Sequence, residues 1–246
     1  MVERSRAKSL RSVIETALEL ELSVDVEELD FEVIAALVAA VEVKDRETQG
    51  HNRRVAQLCV QIGRQLGMSA TELRVLARTG LLHDVGKLGI PDSILEKHGP
   101  LTESESAVMR THPEIGVSIL KRGGHFKREL LGVLYHHERM DGSGYPHGLL
   151  ADGIPIEARI VAVADTYDVL TTDRPYRQAR GGREARRVVQ DEAGTHLDPH
   201  VVVALMRALD RRESGSIGRS PGGTVGASTF VRGAAEKTLS SDHSTA

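Results

Sequence analysis

His83 and Asp84 stand side by side in Leu81-Leu82-His83-Asp84-Val85-Gly86-Lys87-Leu88-Gly89. An imidazole and a carboxylate at one point of the backbone offer a cation two kinds of donor, and the carboxylate's two oxygens can bridge two ions. Alone, such a dipeptide is most often a surface pair. Here it closes an apolar run, and further His/Asp clusters accompany it. Glu47 and His51 are four apart, so on one helix they would share a face about one turn apart. That spacing suits two ligands of one metal or of neighbouring metals, and equally an exposed pair at a helix start. His112 precedes Pro113, which is well tolerated in a first helical turn.

His136-His137-Glu138 places two histidines in sequence. Adjacent side chains on a helix point ~100° apart. Both serve one site only if it is wide, as a cluster of two or three metals is; the alternative is one buried and one exposed imidazole. Asp165 follows Ile160-Val161-Ala162-Val163-Ala164. A carboxylate buried there without a partner is costly, which favours a metal ligand over a packing Asp bonded to a hydroxyl. Lys87 lies one turn beyond His83-Asp84, within reach of a phosphate oxygen, although a solvated Lys is the ordinary case. Arg174, Arg177 and Arg180 are interleaved with Pro175 and Tyr176. Arg forks match phosphate oxygens, and together the three suggest a grip.

The elements that must position these residues read as helices. Apolar residues recur at three and four spacing through Phe31–Val43, Val55–Leu66, Leu73–Leu82, Val108–Leu120, Leu130–Tyr135, Ile160–Leu170 and Val201–Leu209. Ser69 before Glu72 and Thr102 before Glu105 predict N-caps with a Glu at the third helical position. No alternating strand pattern stands out; a short strand pair between Gly142 and Pro155 stays open. The fold class expected is all-α. Residues 1–30 form an N-terminal helical extension that can pack on the core, extend it or pair with another copy. Residues 31–210 form the body, and 211–246 a Ser/Gly-rich tail too poor in large apolar groups to offset its ordering entropy.

Composition sets outer bounds. The 246 residues are 40% hydrophobic and 27% charged, with a formal charge of -3, which argues against a general nucleic-acid binder. The single Cys59 allows no internal disulfide and reads as a small buried hydrophobe in a reducing compartment. No stretch reaches the ~18 apolar residues of a membrane span. The expected setting is cytoplasmic.

His83-Asp84-Val85-Gly86-Lys87, His136-His137-Glu138 and Asp141-Gly142-Ser143-Gly144-Tyr145-Pro146 resemble, in order and spacing, the HD-GYP branch of the HD phosphohydrolases. The likeness runs from about Val41 to Leu205 and includes His112-Pro113-Glu114-Ile115-Gly116, the Asp165 helix, Asp173-Arg174-Pro175-Tyr176-Arg177 and Thr195-His196-Leu197-Asp198-Pro199. It implies an HD-type helical bundle with a metal site in its core. It implies a phosphodiesterase that opens cyclic di-GMP to pGpG and further to GMP, using two or three divalent ions, iron or manganese.

The family's ligands match His51, His83, Asp84, His112, His136, His137 and Asp165. Glu47 stands where many members carry Tyr, as in the variant that holds a third metal. Asp84 as metal bridge and Lys87 as phosphate contact are the implied catalytic residues. Arg174 and Arg177 match phosphate-contacting positions, with Arg177 where members often carry Lys. Tyr145 either packs on a guanine or closes the fold. The expected partners are cyclic di-GMP and a second copy or a signalling protein, with no nucleic-acid polymer and no membrane. Two rivals remain: an HD phosphohydrolase acting on another nucleotide, such as cyclic GMP-AMP, and a binding module without turnover. The second is disfavoured because no matched ligand is replaced.

Overall fold

The computed structural model describes residues 28–45, 49–123, 126–173 and 178–217. Among them every regular element is helical. The α-helices are α1 (Glu28–Lys44), α2 (His51–Gln65), α3 (Ala70–Leu82), α4 (Asp92–Leu95), α5 (Glu103–Met109), α6 (His112–Gly123), α7 (Leu130–Tyr135), α8 (Ile156–Thr171), α9 (Gly182–Asp191) and α10 (Pro199–Ile217). Short 3-10 turns cover Val85–Gly89 and Ala151–Gly153. The strand pair left open between Gly142 and Pro155 reduces to one antiparallel bridge, Asp141 with Leu150.

Local chemistry sets the helix starts. Ser69 Oγ accepts from the Glu72 amide at 3.4 Å while Glu72 Oε2 accepts from the Ser69 amide at 2.8 Å, a reciprocal box that opens α3. Thr102 and Glu105 repeat it at α5. The Val108–Leu120 run divides into α5 and α6 because Pro113, which lacks an N–H, falls in the first turn of a new helix. Gly50 adopts φ 70°, so α2 begins at His51 and does not run back past that residue. Glu47 itself lies outside the described residues. α9 is an element beyond the runs named from sequence, and it buries Ala185 and Val189 with Val188 beside them against charged residues on its other face.

Two apolar clusters hold the bundle. The larger joins Val55, Leu58 and Ile62 of α2 to Leu73 and Leu76 of α3, Ile160 and Val163 of α8, Val189 of α9, and Val201 and Leu205 of α10. The smaller joins Ile34 and Val38 of α1 to Ala56, Leu81, Leu82, Val85, Leu120, Phe126 and Val133. Helices α2 and α3 contribute to both clusters, so the His51 end of α2 and the His83 end of α3 are fixed from two sides. Gly86 sets the next contact. A Cβ there would fall 1.7 Å from the His112 carbonyl oxygen, so only glycine lets the 3-10 turn lie against the start of α6. α10 continues to Ile217, past the boundary expected near residue 210. The N-terminal extension before Glu28 and the tail beyond Ile217 lie outside the described residues.

Candidate metal centre

The histidines of the site stand at helix ends. His51 opens α2, His83 caps the C-terminus of α3, His112 opens α6, and His136 caps α7. At three of them the ring is fixed the same way. Nδ1 of His83 donates to the Gly80 carbonyl at 2.8 Å, that of His112 to Met109 at 2.9 Å, and that of His136 to Val133 at 2.7 Å. A carbonyl only accepts, so Nδ1 carries the proton and Nε2 keeps its lone pair. His51 is held from a carboxylate instead: its Nδ1 lies 2.7 Å from Asp168 Oδ2. Asp168 is in turn gripped by Arg54 through Nε at 2.6 Å and Nη2 at 3.0 Å.

The Nε2 atoms converge. Asp84, His112, His136 and His137 form one donor set and His51, His83 and Asp165 a second, each within 4.8 Å. Asp84 faces both: its Oδ1 lies 3.4 Å from His112 Nε2, and its Oδ2 lies 3.5 Å from His83 Nε2. Inside this cluster the protein leaves polar atoms ill matched. His112 Nε2 and His136 Nε2 face each other at 3.3 Å, both with their proton committed at Nδ1. His83 Nε2 is buried without a hydrogen-bond partner. Facing lone pairs and an orphaned acceptor are costly in an apolar interior. Divalent cations resolve both, and the N/O donor set suits them. The residues present fit a metal centre.

The electrostatics point the same way. Burial pushes the His112, His136 and His137 pKa values down, His137 to about 3, so these imidazoles stay neutral and able to ligate. Burial opposes charge at Asp84, but the Lys87 ammonium and the imidazoles outweigh it and hold the carboxyl well below its usual range. At Asp165 burial is likewise outweighed, mainly by the hydrogen bond to His51. In the metal-free protein His51 is the exception. Burial opposes its charge, yet Asp165 and Asp168 raise its pKa to about 9.

His51, Asp84, His112, His137 and Asp165 line a cavity of about 740 Å³ with Lys87, Tyr145 and residues of the stretch from Ile94 to Leu101. Lys87 Nζ lies 2.8 Å from Asp84 Oδ2 and 3.0 Å from Asp45 Oδ2, so two carboxylates hold its charge at the cavity wall. Tyr145 stacks on His137 with ring centroids 4.8 Å apart, and Arg110 lies over its ring. Arg174 and Arg177 lie outside the described residues.

Comparison with known proteins fits this geometry. Residues 36–201 match the family model described as HD domain. The chain belongs to the HD domain family. It is 41% identical over 209 residues to the cyclic di-GMP phosphodiesterase response regulator RpfG of Xanthomonas campestris, covering 82% of this chain and 55% of that protein. It is 40% identical over 196 residues to the 3'3'-cGAMP-specific phosphodiesterase 2 of Vibrio cholerae, covering 78% of this chain and 37% of that one. The chain thus spans about half or less of these curated relatives. In fold it is similar to an HDG"Y"P protein from Bdellovibrio bacteriovorus, with a TM-score of 0.56 and 18% identity over 85% of this chain and 80% of that one.

Within this HD domain, Asp84 and Lys87, His112, His137, Tyr145 and Asp165, from five of the segments that carried the HD-GYP likeness, stand around one cavity. Three further residues support them, and the sequence reading assigns none of them a role. Asp168, one turn after Asp165 on α8, holds the His51 ring. Asp45 pairs with Lys87. Glu138, 3% exposed, accepts from the His147 amide at 2.8 Å and the Leu149 amide at 2.9 Å, which ties down the loop that carries Tyr145. Gly144 lets that loop close: a Cβ there would fall 2.5 Å from the His137 carbonyl oxygen. The spacing of Asp168 from Asp165 could have flagged it; nothing local flags Asp45.

Proposed function

We propose that this chain is a divalent-metal-dependent phosphodiesterase that hydrolyses cyclic di-GMP to pGpG and further to GMP, with residues 31–210 as its catalytic unit. One observation carries the reading: the two oxygens of Asp84 point into two different donor sets within one cavity. A shared carboxylate is what a two-metal phosphoryl site requires. Iron or manganese suits mixed imidazole and carboxylate ligation. His51, His83 and Asp165 would hold one ion, His112, His136 and His137 the other, and Asp84 would bridge. Glu47 is the candidate ligand for a third.

Bound ions would supply Lewis-acid activation of water and neutralise charge on the phosphoryl oxygens. The chain's own groups do the rest. Asp168 and the three carbonyls aim the ligating nitrogens of His51, His83, His112 and His136, and burial keeps the His112, His136 and His137 rings neutral. Lys87 places a fixed positive charge beside the bridge, where it can orient a phosphate oxygen. Arg174 and Arg177 are assigned the remaining phosphate contacts by their match to the family. Tyr145 stays protonated, because burial raises its pKa, and its face on His137 shapes the cavity wall. Input by a second copy or a signalling protein, in a cytoplasmic setting, completes the proposal; no described helix is long and apolar enough to cross a membrane.

A second reading, cyclic GMP-AMP as substrate, is favoured by the 40% identical relative named for it. Anaerobically purified protein loaded with manganese or ferrous iron should be assayed on both cyclic dinucleotides, with metal content and products measured. Cyclic di-GMP should be the faster substrate, and Asp84→Ala should abolish turnover of either. Full activity in Asp84→Ala, or in protein without metal, refutes the mechanism; faster cyclic GMP-AMP cleavage changes only the substrate.

A further inference from the structure

Away from the metal centre, a second concavity of about 290 Å³ opens between α3, from Thr71 to Arg78, and the residues that lead into α7. Its wall carries Arg74 and Arg78 from α3 and Lys127 and Arg128 from the facing segment, with the Thr71 hydroxyl at one edge. Arg74 and Arg78 are four apart and share a helix face. Lys127 and Arg128 are exposed, so their charges reach the opening. Two carboxylates stand nearby and both are engaged. Glu129 is buried and lies 3.8 Å from Arg78 Nη1, while Glu72 is held in the Ser69 capping box. Arg78 is paired with Glu129, and Glu72 keeps its charge beside Arg128, so four cations face two carboxylates across the recess and positive charge is in excess. Arg74 already donates to Thr71 Oγ1 at 3.0 Å, which fixes its fork at the rim.

We propose that this cleft is a binding site for a phosphate group. Arg forks match phosphate oxygens two at a time, and cations from both walls would close on one anion. The recess has room for a phosphate with one attached group, far less than the main cavity offers. Its placement gives occupancy a consequence. α3 ends at His83-Asp84 and α7 at His136-His137, so a phosphate seated here would tie together the two helices that end at the donor sets. The site does not depend on which reaction the metal centre performs.

The test uses the full metal-loaded chain, titrated calorimetrically with inorganic phosphate, GMP and guanosine against potassium chloride of equal ionic strength. The metal centre also attracts phosphate, so the informative quantity is the difference between wild type and Arg74→Gln/Arg128→Gln. Wild type should take up one more equivalent of phosphate, and that event should weaken at least about tenfold in the cleft variant. Arg187→Gln/Arg207→Gln, which removes the same charge from α9 and α10, should leave it intact. Uptake of GMP but not guanosine assigns the ligand to a nucleotide phosphate; uptake of inorganic phosphate alone assigns it to the free ion. Equal stoichiometry in wild type and cleft variant, or equal loss in both double variants, overturns the site. Should the double variant not fold, Arg128→Gln alone, at an exposed turn position, repeats the measurement.

Discussion

An imidazole with its Nδ1 proton committed has one lone pair left to give, and the direction of that pair decides what the site can bind. In this chain backbone carbonyls set the direction for His83, His112 and His136, whereas His51 relies on Asp168. A carbonyl cannot be removed by substitution, but Asp168 can. Asp168→Asn keeps the shape and loses the charged acceptor. Its amide can also present N–H to Nδ1 and favour the wrong tautomer. We expect metal affinity at the His51/His83/Asp165 set to fall about 10–100-fold, while the Asp84/His112/His136/His137 set keeps its ion. Metal analysis after dialysis against graded chelator reads this as loss of one ion before the other. Two ions retained with wild-type affinity would mean that Asp168 only anchors Arg54.

At the scale of elements, the site depends on how closely helix ends approach one another. The 3-10 turn after Asp84 lies against the start of α6 through Gly86, and a methyl there meets backbone that cannot swing aside. Gly86→Ala should destabilise the fold by about 3 kcal/mol or more, at or above the usual cost of overpacking, because backbone must move. It should also displace His112 relative to Asp84. Chemical denaturation measures the first effect and metal content the second; a fully stable, fully loaded variant would contradict the close contact. Much of this scaffold is legible in sequence, since the apolar spacing of α2, α3, α7 and α8 and the capping pairs at Ser69 and Thr102 are local signals. The break at Arg110-Thr111 is legible only through Pro113. α9 is a local signal passed over: Ala185, Val188 and Val189 gather on one face while charged and polar residues occupy the other. In the site every histidine announces itself by type, whereas Asp45 finds Lys87 only through tertiary packing.

For the whole molecule, the metal centre is both a stabilising ligand site and a store of buried charge, and removing the metal exposes the second role. An ion at 100 times its Kd adds about 2.7 kcal/mol to stability. For a domain of this size that is worth about 5–10 °C in Tm. The chelated protein should then show a pH profile set by its imidazoles. His112, His136 and His137 have folded pKa values below the unfolded value of ~6.5. On acidification the unfolded chain takes up their protons first, so their contribution is present above ~6.5 and is lost as pH falls. For His137, whose pKa falls to about 3, staying neutral between pH 6.5 and 5 costs about 2 kcal/mol, and ordinary carboxylates remain ionised over that range. His51 has the opposite sign. Its pKa is raised to about 9, so its contribution is complete below ~6.5 and is lost as pH rises from there through about 9. Metal-free protein should therefore be most stable near neutrality and decline on both sides. Saturating manganese should abolish the alkaline decline, because the ion takes the His51 lone pair in place of the proton. Thermal unfolding from pH 5 to 9.5, with chelator and with manganese, tests this; identical profiles in the two conditions would show that these imidazoles do not hold the metal.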